Sequence, residues 1–204
     1  METITKEKVI RIFRQKSISL FQWEDIFKLF NINAVTAKAL IKRLKESMMI
    51  KPLAKGKYLF LLAETLPDDF ELANFIYPPS YVSLESALSF YGIIDQFPYQ
   101  ITSVSLRKTN SFKIDQKMFT YAHLKPDLFK DYKKENNFLI ASPQKAVFDF
   151  LYLVYKGGRG KGNLELLHLE NERLNLNKNR VRTYIQLISR DQKFLSFCQN
   201  QKVI

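Results

Sequence analysis

Two stretches of the chain have the residue types and spacing of a reaction centre. Ser142-Pro143-Gln144-Lys145 matches the Ser-x-x-Lys of penicillin-binding proteins, in which the serine is the nucleophile. The companion Ser-Asp-Asn and Lys-Thr-Gly motifs are missing, and a serine followed by proline is also a plain helix start. Gly157-Gly158-Arg159-Gly160-Lys161-Gly162 hints at a phosphate loop. A true P-loop follows a strand and places Ser or Thr after its lysine. This one follows a predicted helix and has Gly162 there, so it reads as a basic loop. His123 and His168 are far apart, with no Cys or carboxylate at ligand spacing, so no metal is expected. Cys198 sits among Phe194, Leu195 and Phe197 and reads as a small buried hydrophobe. The acids are scattered, and no pair declares acid–base work. No catalytic constellation emerges: the chain reads as a non-enzyme without cofactor.

The basic residues carry more information. Thirty-two Lys and Arg against twenty Asp and Glu give a net charge of +12 over 204 residues. Residues 1–63 hold thirteen of these cations and five acids, a net of +8. Such an imbalance points to a polyanion or an anionic membrane as partner. Hydrophobic residues make up 46% and charged residues 25%, as in an ordinary globular protein. A single cysteine forms no internal disulfide, no apolar run is long enough to span a bilayer, and METITKEKVIRIF lacks the apolar core of a signal peptide. A cytoplasmic protein without membrane contact is expected.

The elements that must position these cations are legible. Residues 5–16 place Val9, Ile10, Ile12 and Phe13 at helical spacing, with Thr5 as cap. Ile18–Phe21 is a strand candidate. Residues 22–30 bury Trp23, Ile26, Phe27 and Phe30 on one face. Asn33 caps a third helix over 34–48, whose inner stripe is Ala37, Leu40, Ile41, Leu44 and Met48. Pro52 cannot continue that helix, and a hairpin turns at Lys55-Gly56. The order helix, strand, helix, turn, helix, hairpin is that of a winged helix-turn-helix. In that fold the third helix enters the major groove of DNA. Val35, Thr36, Lys38 and Ala39 are placed to meet base edges, and Lys42 and Arg43 to meet phosphates. Lys55 and Lys57 on the hairpin extend the same surface along the backbone. Solvation of an exposed face is the plainer reading of any one of these charges; their agreement favours double-stranded DNA as partner.

Composition changes over 64–79, which is taken as a connector between residues 1–63 and a second domain, 80–204. There Ser83 can cap a helix to about Tyr91, strands are expected at 101–107, 111–114, 118–123 and 137–141, and Ser142-Pro143 starts a helix to about Tyr155. Two more helices are expected near 177–189 and 191–199. The fold class is therefore α+β: a winged helix-turn-helix, then a mixed α/β domain with a small sheet flanked by helices.

Three segments of this second part belong together. They are YVSLESAL at 81–88 with Gly92, FTYAHLKPDLF at 119–129, and ASPQKA at 141–146 with Asp149. In order and spacing the chain resembles the AbiEi family, the antitoxins of bacterial abortive-infection toxin–antitoxin systems, over about residues 5–155. Beyond that only the leucine rhythm of 164–176 is similar. The resemblance implies a first domain that binds inverted repeats in its own promoter and represses the operon. It also implies a second domain that counteracts a nucleotidyltransferase-like toxin, with or without direct contact. Lys145 falls in the first turn of its helix, where a cation opposes the helix dipole unless an anion meets it. With Arg107, Lys108, Lys113, Arg180 and Arg182 it forms a candidate antitoxin surface; solubility alone is the other reading. A winged-helix regulator whose second domain senses a small ligand stays open beside the antitoxin.

Overall fold

The computed structural model describes residues 4–95, 98–157, 178–189 and 191–200. They fall into two units, Met1–Ile76 and Tyr77–Ile204. Both mix helices with sheet, and the fold is α+β.

The first unit starts with α1 (Lys6–Gln15), where the Thr5 hydroxyl accepts the Lys8 backbone N–H at 3.2 Å. Strand β1 (Leu20–Gln22) leads into α2 (Trp23–Phe30), and the Gln22 N–H donates to the Asp25 carboxylate at 2.7 Å. Asn31, left-handed at φ 49°, ends α2. Helix α3 (Ala34–Glu46) starts at Asn33, whose side-chain oxygen accepts from the Thr36 N–H at 2.9 Å. Strands β2 (Ile50–Ala54) and β3 (Lys57–Phe60) form the hairpin, and the antiparallel order is β1-β3-β2. Pro52 is tolerated because β2 is an edge. Gly56 turns the hairpin at φ +72°.

Phe13, Phe21 and Phe60 form the centre of this unit, with Phe13 edge-on to both others at 5.0 Å. From α3 come Ala37, Leu40, Ile41 and Leu44, all buried as the stripe requires. Met48 is a correction. It lies beyond the helix end, left-handed at φ 50° and 80% exposed, and this twist turns Met49 inward in its place. The segment read as a connector contains α4 (Asp69–Ile76), started by Asp68, whose carboxylate accepts the N–H groups of Phe70 and Glu71 at 2.8 Å. The division between units falls after this helix.

The second unit is built on one six-stranded mixed sheet, order β6-β7-β5-β4-β9-β8. Its strands are β4 (Ser80–Val82), β5 (Gln100–Ser105), β6 (Asn110–Ile114), β7 (Lys117–His123), β8 (Tyr132–Glu135) and β9 (Phe138–Ala141). The pairs β5–β7 and β4–β9 are parallel, the others antiparallel. Helix α5 (Leu84–Phe90) packs on β5 and on α6 (Pro143–Tyr155), which in turn meets α7 (Lys178–Ile188) and α8 (Gln192–Asn200). Ser142 caps α6, its hydroxyl accepting the Lys145 N–H at 3.3 Å. Ser83 does not act as the expected cap. Its hydroxyl donates to Asp149 instead, and α5 begins at Leu84 with φ 57°.

Candidate nucleic-acid interface

The inner stripe of α3 forces its other side outward. Val35 is 78% exposed, and Lys38, Ala39, Lys42 and Arg43 are exposed with it. Thr36 is half-buried at the first turn. Lys42 lies 3.9 Å from Glu46 one turn on, an exposed contact of little strength. Arg43 is partly committed, since its guanidinium donates to the Ile4 carbonyl at 3.0 Å. Lys55 stands exposed at the tip of the hairpin.

Trp23 joins the helix to the hairpin. Its backbone N–H donates to the Gly56 carbonyl at 2.9 Å. A Cβ on Gly56 would lie 3.1 Å from the indole Cδ1, so the turn rests against the ring. Between α3 and the turn runs a groove of about 470 Å³. Trp23, Ile41 and Tyr58 give it apolar walls, and Lys38, Lys42, Lys45 and Lys55 line it too. Lys38 Nζ is 5.9 Å from the Trp23 ring centre, and Lys45 Nζ is 5.3 Å from that of Tyr58. The sequence reading missed Lys45 and placed Trp23 only in the core. The signal was present for Lys45: Lys38, Lys42 and Lys45 stand at i, i+4 and i+7, one face of a helix.

Lys57 is a correction to the expected surface. Its ammonium donates to the carbonyls of Phe75 and Ile76, at 2.5 and 3.1 Å, at the end of α4. A cation there satisfies carbonyls that the helix leaves open and opposes the negative end of its dipole. Lys55 is exposed and Lys57 is held, although they stand two residues apart.

In the second unit Arg107 and Lys108 are exposed between β5 and β6, and Arg107 lies over the Tyr77 ring at 5.1 Å. Lys113 is exposed on the edge strand β6, and Arg182 is exposed on α7. The side chain of Arg180 lies outside the described residues, as do Gly158 to Gly162, His168 and the leucine rhythm of 164–176.

Lys145 does not belong to any surface. It is 0% exposed, and its ammonium donates to Oδ1 of Asp149, equally buried, one turn further along α6. Oδ2 of Asp149 accepts from the Ser83 hydroxyl at 2.8 Å and the Tyr81 hydroxyl at 3.0 Å. Burial pushes the Lys145 ammonium below its ordinary pKa, against the pull of Asp149. Burial likewise pushes Asp149 up, against Lys145, Ser83 and Tyr81. The anion that tolerates a cation in this first turn is therefore internal. Two of the segments behind the family resemblance, 81–88 and 141–146 with Asp149, meet at this cluster. Their chemistry is that of fold closure.

Cys198 is buried, and its thiol is pushed up to about 12 by that burial. Among the described residues no three His, Cys, Asp or Glu side chains gather to hold a metal, and no helix is long and apolar enough to cross a membrane.

No family model matches the chain, and no curated protein does.

Proposed function

We propose that this protein is a DNA-binding antitoxin. Its first unit works as a winged helix-turn-helix that represses its own operon, and its second unit counteracts a nucleotidyltransferase-like toxin. The observation that carries the DNA part is the joining of two basic elements into one surface: Lys38 and Lys42 on α3 and Lys55 on the hairpin line the same groove. Beside them α3 presents the small exposed side chains of Val35 and Ala39, which suit close approach to base edges and thymine methyls. The net charge of +8 over residues 1–63 adds attraction that does not depend on sequence. The antitoxin part rests on the ordered resemblance to AbiEi proteins. In this reading the protein is no enzyme, and DNA as partner places it in the cytoplasm. One helix-turn-helix covers one half-site, so inverted repeats recruit two copies.

The test is fluorescence anisotropy of the full chain with duplex from its own promoter, across a salt series. Lys38 lines the groove with Lys42 and Lys55, so here it is assigned to the backbone and not to a base edge; if each of the three meets one phosphate, replacing all three by Ala lowers the log–log salt slope by about 2.7. An unchanged slope removes this face from DNA. The same triple variant, coexpressed with the neighbouring gene product, should still rescue growth. Failure of that rescue, with expression of the variant intact, refutes the division of labour between the units.

A further inference from the structure

The groove between α3 and the hairpin has two chemistries, and a DNA backbone uses only one of them. Its volume of about 470 Å³ lies within the range of small-molecule sites, about 300–1,000 Å³. Trp23 is held in place from two sides: Phe27 packs edge-on to it at 4.7 Å, and the Gly56 turn rests against it. Tyr58 is backed by Phe21, stacked at 5.4 Å. The aromatic walls are therefore rigid. Around them stand four ammonium groups. Among the described residues Lys38, Lys45 and Lys55 have no carboxylate partner, and Lys42 has only the long contact to Glu46.

A bare phosphate would engage the lysines and leave the rings with no contact beyond those ammonium groups. An uncharged aromatic molecule would do the reverse. A duplex keeps its bases stacked inside and offers the groove phosphates alone. The ligand that satisfies both is a flat heteroaromatic ring joined to a polyanion. We propose that the groove binds a free nucleotide, its base against the half-exposed Trp23 above a floor formed by the buried Tyr58, and its phosphates among Lys38, Lys42, Lys45 and Lys55. Lys38, Lys42 and Lys55 are shared with the proposed DNA face, so occupancy excludes the duplex and the nucleotide acts as an inducer. This second step rests on the DNA reading; the site itself does not.

Trp23 is the one tryptophan of the chain, so its emission reports on the groove directly. The full chain is titrated with ATP, with adenosine and with inorganic tripolyphosphate at constant ionic strength, and calorimetry is run in parallel. ATP should quench Trp23 saturably, and each half-molecule should bind at least about tenfold more weakly. Lys45→Gln, outside the residues assigned to DNA, should weaken ATP about tenfold while its circular dichroism matches the parent. Tripolyphosphate or adenosine binding as well as ATP would overturn the proposal. So would an absence of both quenching and heat with ATP, or an oligothymidylate that binds where ATP does not. A labelled promoter duplex separates the two readings. Duplex binding by a protein that shows neither quenching nor heat with ATP removes the nucleotide site alone. ATP that quenches Trp23 in a protein that never binds DNA removes the DNA reading alone. ATP that binds without displacing bound duplex overturns the inducer step.

Discussion

Asp149→Ala probes the centre of the second unit. Carboxylate and ammonium are both fully buried. Without Asp149, Lys145 faces the rings of Phe148 and Tyr81, at 4.8 and 6.0 Å, which are poor substitutes for an anion. Removing one member of a buried pair costs about 3–5 kcal/mol. The upper limit has a chemical cause. The lysine can shed its proton, and neutralising a group of ordinary pKa 10.5 at pH 7 costs about 5 kcal/mol. Lys145→Met is milder. It leaves a carboxyl that still meets the Tyr81 and Ser83 hydroxyls and that burial already favours in its protonated form. The double change Lys145→Met with Asp149→Leu removes both charges and leaves the two hydroxyls without their acceptor. It should cost less than the sum of the single changes. Urea and thermal unfolding at pH 7, followed by circular dichroism, measure this. For Asp149→Ala the loss of about 3–5 kcal/mol corresponds to a fall in Tm of roughly 6–20 °C. A loss under about 1 kcal/mol, or strict additivity in the double change, would refute the buried pair.

Gly56→Ala strains a residue at φ +72° and brings its Cβ to 3.1 Å from Trp23; the hairpin should lose about 1–2 kcal/mol, with a shifted Trp23 emission in urea unfolding. Lys57→Met should cost about 1 kcal/mol by freeing the carbonyls at the end of α4, yet leave the salt slope of DNA binding unchanged, whereas Lys55→Ala should lower that slope by about 0.9. The Cys198 thiol, raised from 9.0 to about 12, should react with a thiol reagent at pH 8 about a thousandfold more slowly in the folded chain than in urea. The sign of the linkage follows: the folded state keeps this proton, so the stability it contributes is complete below pH 9 and is lost as pH rises from there toward 12. Stability that stays level through that window would contradict the burial of the thiol.

The sequence alone determined what acts within one or two turns of chain. The Thr5, Asn33 and Ser142 caps, the four buried positions of α3 and the Lys55-Gly56 turn were legible because a cap reaches three residues and a stripe repeats every 3.6. The outward face of α3 followed from the same period, and Lys45 was there to be found. Tertiary structure decided the rest. Strands β4 and β8 escaped for different reasons: β8 is a polar, largely exposed stretch with no apolar alternation, and β4 is held in part by a parallel partner nearly sixty residues on. Lys57 left the basic surface because α4, coming later in the chain, presents open carbonyls to it. Ser83 and Lys145 both look like local features and both serve Asp149, across 66 residues in one case and one helical turn in the other. A side chain's direction is set by its own backbone, but its partner is set by which distant segment folding brings alongside. Periodicity carries the first and is silent on the second.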